Sequence, residues 1–73
     1  MPPTAEQWLD AFAAALGRPA PSAREIEAVL ALASVAAHAS ERIAAPVACW
    51  LAASAGVAPE EARARAEDLG FSR

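Results

Sequence analysis

The one histidine of the chain, His38, stands in the run Ala37-His38-Ala39-Ser40-Glu41-Arg42, where groups able to do chemistry are most concentrated. On a continuous helix, Glu41 at i+3 and Arg42 at i+4 share one surface with it. A carboxylate beside an imidazole orients the ring and raises its basicity, which suits acid–base work or ligand binding. The planar fork of Arg42 is the right shape for the phosphate of a nucleotide or an anionic pterin. The plainer reading is that His38 closes a helix against the negative end of its dipole, with Glu41 and Arg42 solvated or paired locally. No nucleophile or second carboxylate accompanies the three, so no catalytic residue is assigned and an enzyme is not expected.

Cys49 lies in a charge-free stretch and reads as a small buried hydrophobe. Its position three residues past Pro46 leaves open a thiol activated by a helix N-terminus. As the only cysteine it can form no internal disulfide, which fits a reducing compartment, and no metal site is expected from one thiol and one imidazole. Trp8 and Trp50 are the largest side chains and read first as core anchors. A sharper reading makes Pro46 and Trp50 the apolar floor of a shallow surface, with His38, Glu41 and Arg42 as its polar rim, a composition suited to a partner protein. Glu60, Glu61, Glu67 and Asp68 lack the dense oxygen spacing of a calcium loop and read as a solvated helix face.

These residues must be positioned by a small body. Seventy-three residues leave room for one domain, spanning 1–73, with a thin core. The net charge of −3 rests on scattered arginines with no lysine, so the electrostatic footprint of nucleic-acid binding is missing. The opening Met1-Pro2-Pro3-Thr4-Ala5-Glu6 has neither the basic nor the apolar segment of a secretory signal, which points to the cytoplasm. The charge-free stretch from Ile43 to Pro59 holds Pro46 and Gly56 and is shorter than the ~20 apolar residues of a membrane span, so no membrane association is expected.

Four helices are predicted, at about 4–16, 22–42, 46–55 and 59–69, forming a compact all-α bundle. Thr4 with Gln7, and Ser22 with Glu25, are capping-box pairs that open the first two. The first carries the stripe Ala5, Trp8, Leu9, Phe12, Ala15 and Leu16 and stops at Gly17. The prolines of Arg18-Pro19-Ala20-Pro21 prevent its continuation. The second presents Ile26, Val29, Leu30, Ala33, Ala36 and Ala37 to the core, and Leu32 and Val35 widen that stripe enough for neighbours on two sides. Pro46 forces a break or sharp kink between Ser40 and Ala45, read here as a break, and fits the first turn of the third helix, which is apolar all round and therefore expected to be central. Gly56 ends it. Pro59 and the carboxylates after it start a fourth helix with a sparse stripe, closed by Gly70 and Phe71. No period-two run, hairpin turn or internal repeat argues for a sheet.

The stretch AAHASERIAAPVACWLAASAG, from Ala36 to Gly56, resembles a small bacterial helical domain family, a domain of unknown function, with Ala-His, Glu-Arg, Ala-Ala-Pro, aromatic-Leu and Gly in this order. Trp8-Leu9 and Leu16-Gly17 match its usual opening, so the likeness spans roughly residues 7 to 57. The matching positions are Trp8, Leu9, His38, Glu41, Arg42, Ala45, Pro46, Leu51 and Gly56. Ile43 departs from it where proline is common, and Ala48-Cys49 departs where small hydroxyl residues are usual, which weakens a catalytic reading of Cys49. Such domains occur alone or as C-terminal extensions of MobA-like molybdenum cofactor guanylyltransferases.

The resemblance and the missing catalytic groups together lead to the expectation of a non-enzymatic accessory or protein-interaction module without a cofactor. What the resemblance implies is a link to molybdenum cofactor (molybdopterin guanine dinucleotide) biosynthesis, with a protein partner such as a nucleotidyltransferase as the expectation. Two alternatives stand beside it. One is a nucleotide- or pterin-binding subunit using His38, Glu41 and Arg42. The other is a structural homodimer, since 56% hydrophobic residues are hard to hide in so small a domain.

Overall fold

The computed structural model describes residues 1–69. It contains four helices, α1 (Ala5–Ala15), α2 (Ala23–Ala39), α3 (Ala44–Ser54) and α4 (Pro59–Glu67), and no strand among the described residues. The all-α bundle is as predicted.

Local chemistry sets the helix ends. In α1 the Gln7 amide donates to Thr4 Oγ1 at 3.1 Å, while the Thr4 amide donates to Gln7 Oε1 at 2.9 Å. Ser22 and Glu25 repeat the exchange at 3.1 and 2.8 Å at the start of α2. Each box satisfies two amides that a helix leaves without an internal partner. Gly17 and Gly56 adopt φ of 71° and 73°, the left-handed conformation that glycine enters without the penalty of a Cβ. Both complete a Schellman motif. The amides of Gly17 and Arg18 donate to Ala14 and Ala13, and those of Gly56 and Val57 donate to Ala53 and Ala52. The expected cap at Gly70 and Phe71 lies outside the described residues.

The break before Pro46 falls within the expected window, at residues 40–43, although both helix bounds lie earlier than predicted. Helix α2 ends at Ala39 and not near residue 42, and α3 begins at Ala44, two residues before the proline. Proline is compatible with any position in a first turn, because amides there have no acceptor within the helix. Here the Ala44 and Ala45 amides donate to the carbonyls of Glu41 and Arg42 at 2.9 and 3.1 Å, and Pro46 has no amide to satisfy. Helix α3 therefore starts without a capping side chain.

The hub of the bundle is α2, which packs on both α3 and α4, as its wide stripe predicts. The expectation that α3 is central is corrected by the structure, since no residue of α3 is buried. An all-apolar helix is central only where bulk faces inward, and in α3 the half-buried positions are Ala44, Ala45, Ala48, Cys49 and Ala52, all small. Leu30, read as core, is 63% exposed, and the expected core anchors Trp8 and Trp50 are also exposed. Only Ala13 and Leu32, at 9% and 4%, are withdrawn from solvent among the described residues.

Helix α1 stands apart. Among the described residues, none of its Cα atoms comes within 8 Å of another helix. The radius of gyration, 13.2 Å, accordingly exceeds the roughly 11 Å expected of a globule of this length.

Leu32 is the large side chain at the centre of what core there is, so Leu32→Ala is expected to cost about 2–5 kcal/mol. That equals most of the stability of a scaffold this small, and chemical denaturation should show the folded baseline shortened or lost. At Gly56 nothing lies within 4 Å of a built Cβ, so Gly56→Ala meets only the φ penalty. It is expected to cost about 1 kcal/mol, or roughly 4–8 °C in Tm, readable by thermal circular dichroism.

Candidate functional site

The turn between α2 and α3 carries the residues singled out in the sequence, and their positions follow from where α2 stops. His38 lies in the last turn of α2, whereas Glu41 and Arg42 fall beyond its end. The i+3 and i+4 spacing that would align all three on one helix face therefore does not apply. No hydrogen bond or ion pair joins His38, Glu41 and Arg42 among the described residues.

His38 turns back along its own helix. Its Nδ1 lies 2.7 Å from the Ser34 carbonyl and 3.2 Å from Ser34 Oγ. A carbonyl can only accept, so this geometry places a proton on Nδ1. The bond is an i to i−4 link that ties the ring over the final turn, where the dipole is negative. The side chains of Glu41 and Arg42 are exposed, and it is their backbone carbonyls that receive the first amides of α3. The pair thus has a structural duty at the helix junction that the sequence pattern does not reveal.

Pro46 and Trp50 are one turn apart on α3 and both exposed, as the docking-surface reading requires. The patch around them is larger than the sequence implies. Ile43, Val47 and Trp50, at i, i+4 and i+7, are 74%, 55% and 68% exposed and form a continuous apolar stripe opposite the half-buried small residues. Leu51 flanks it. A second stripe lies on α1, where Trp8, Phe12 and Leu16 follow one another at i+4 spacing and are all exposed. The Trp8 and Phe12 rings stack with centroids 5.0 Å apart, tilted by 30°. Sequence periodicity identifies the α1 stripe but assigns it to the core.

The charged groups lie elsewhere. Arg24 of α2 meets Glu60 of α4 at 3.3 Å, and Arg63 meets Glu67 at 3.5 Å; Arg65 pairs with Glu61. All are solvent-exposed pairs of small energetic weight. Grooves run between these helices, one of them apolar, with Leu32, Leu51, Val57 and Leu69 in its walls. Among the described residues no three His, Cys, Asp or Glu side chains gather as metal ligands would, and no helix is long and apolar enough to cross a membrane.

Cys49 is half-buried against α2, its Sγ 3.9 Å from the Val29 carbonyl. Burial pushes its thiol pKa up, the opposite of what activation at a helix N-terminus requires.

The chain belongs to the family described as a domain of unknown function (DUF6457), whose model matches residues 1–70. The match reaches through α4, well past the 7 to 57 span of the likeness read from the sequence. No curated protein and no solved structure matches the chain.

Because the folded-state pKa of Cys49 is raised, the thiol's contribution to stability is fully present below the ordinary thiol range and is lost as pH rises through the raised value. Alkylation of the folded chain is expected to be slower at pH 7 than that of the urea-unfolded chain, with a pH–rate midpoint displaced upward. A midpoint below the ordinary range would show that the thiol is activated after all.

Proposed function

We propose that this member of the family is a non-enzymatic protein-interaction module that docks through the apolar surfaces α1 and α3 turn outward, with Trp50 at the centre of the α3 surface. One observation carries the reading: α3 packs its small side chains inward and holds its large ones in solvent. A self-contained domain gains by burying the bulkiest apolar groups, at roughly 25 cal/mol per Å². A stripe of Ile43, Val47 and Trp50 left in water is what a surface completed by another chain looks like. Aromatic anchors ringed by polar groups recur at such interfaces, and Glu41 and Arg42 supply a polar border beside Ile43.

The setting we propose is molybdenum cofactor biosynthesis, as an accessory to a MobA-like guanylyltransferase. Its support is the likeness of residues 36–56 to the extension found on those enzymes.

Capture of the tagged chain from its native host tests the docking surface. The wild-type chain is expected to recover a protein in near-stoichiometric amount, whether another chain or untagged copies of itself. Trp50→Glu, whose side chain is already in solvent, is expected to keep its helical circular dichroism and lose that protein. Equal recovery by the two forms would refute the reading.

A further inference from the structure

We propose that the protein seated on these surfaces is a second copy of this chain, with α1 of each copy covering the outward stripe of α3 in the other. The inference rests on the docking reading above and names its partner.

Surface area gives the first argument. The chain exposes 5813 Å². A self-contained fold of 7.5 kDa exposes about 4,200 Å² by the usual scaling with mass. The excess is therefore about 1,600 Å² on each chain, or about 3,200 Å² for a pair, within the range of roughly 2,000–5,000 Å² buried by obligate dimers. An excess of this size is what association with an equal partner removes.

The second argument is the state of α1. It has 11 residues, and among the described residues none of its Cα atoms lies within 8 Å of another helix. Isolated helices below about 12–15 residues are marginal in water, even with good caps. Its Trp8, Phe12 and Leu16 stripe therefore has to be covered by a surface not supplied by α2, α3 or α4 of the same chain.

The third argument is matching. Helices α1 and α3 are each 11 residues long, and both present a stripe of large apolar side chains. Helix α3 carries no charged residue, so nothing on it opposes an apolar neighbour. Each chain thus holds one copy of each unmatched surface, and a two-fold pair matches both at once and closes. An unrelated partner would have to supply complements to two separate helices.

Sedimentation velocity of the purified full chain is expected to show a species of twice the 7.5 kDa monomer, dissociating on dilution. Trp50→Glu and Trp8→Glu, both at exposed positions, are each expected to weaken self-association at least thirtyfold, with any loss of helicity confined to the share contributed by α1. The reciprocal geometry makes a sharper demand. In a mixture of the two variants, one α1–α3 contact of the pair is intact, so the mixed dimer should form more tightly than either variant alone. A wild-type chain that stays monomeric at millimolar concentration overturns the proposal, as does a Trp50→Glu variant that associates normally. Failure of the mixture to exceed its components overturns the α1-on-α3 arrangement. A monomeric chain whose host capture still depends on Trp50 would remove the second copy while leaving the docking reading in place.

Discussion

Helix α3 meets α2 through side chains no larger than cysteine, and most other features of the structure follow from that contact. Ala44, Ala45, Ala48, Cys49 and Ala52 form the inner face of α3, and the Cys49 sulfur lies against the Val29 carbonyl of α2. Small residues let helix axes approach closely, which gains dispersion contacts between backbones but buries little apolar area. The bulk of α3 is displaced to its far side. Ile43, Val47 and Trp50 are in water because the positions that would bury them hold alanine.

The close contact also explains the importance of the turn at residues 40–43. A helix can lie alongside α2 only if the chain reverses within a few residues, and Pro46 makes continuation of α2 impossible at that point. The reversal leaves the first amides of α3 short of acceptors, and the Glu41 and Arg42 carbonyls supply two of them. His38, held by the Ser34 carbonyl, secures the other side of the turn on the last residues of α2. Residues that look like a polar cluster in the sequence thus act here largely through backbone geometry. Their exposed side chains border the apolar stripe of α3.

The parts legible in the sequence are those fixed by local bonds. Thr4 with Gln7, Ser22 with Glu25, Gly17 and Gly56 announce helix ends through interactions spanning a few residues, and the structure contains each of them. What stays hidden is direction. In an alanine-rich chain the inward face of a helix is set by which side permits close approach, and periodicity records only that apolar residues share a side. Periodicity for that reason places Trp8, Leu30 and Trp50 in the core, where the structure leaves them exposed. The His38, Glu41 and Arg42 alignment does not hold for a related reason, since helical spacing carries no meaning past Ala39, where α2 ends. Pro46 and Trp50 are recognisable in the sequence as a candidate exposed apolar pair, whereas placing Ile43, Val47 and the α1 stripe in solvent requires knowing which side faces outward.

A body with one large buried side chain and a detached helix places folding and association in the same equilibrium. Any partner that binds the ordered form and not the unfolded one stabilises it by mass action, so stability depends on concentration. The cost of association includes ordering whatever was mobile beforehand. That cost is lowered in α1 by features already within the free chain: a capping box at one end, a Schellman motif at the other and a Trp8–Phe12 stack along one side. The two prolines after Arg18 restrict the linker further, since each fixes its own φ and limits the residue before it. These devices are too weak to hold an 11-residue helix in isolation, yet they bias it toward the helical shape that the proposed pairing needs. Strong local signals on an element whose Cα atoms approach no other helix among the described residues are what the proposed pairing of two chains requires.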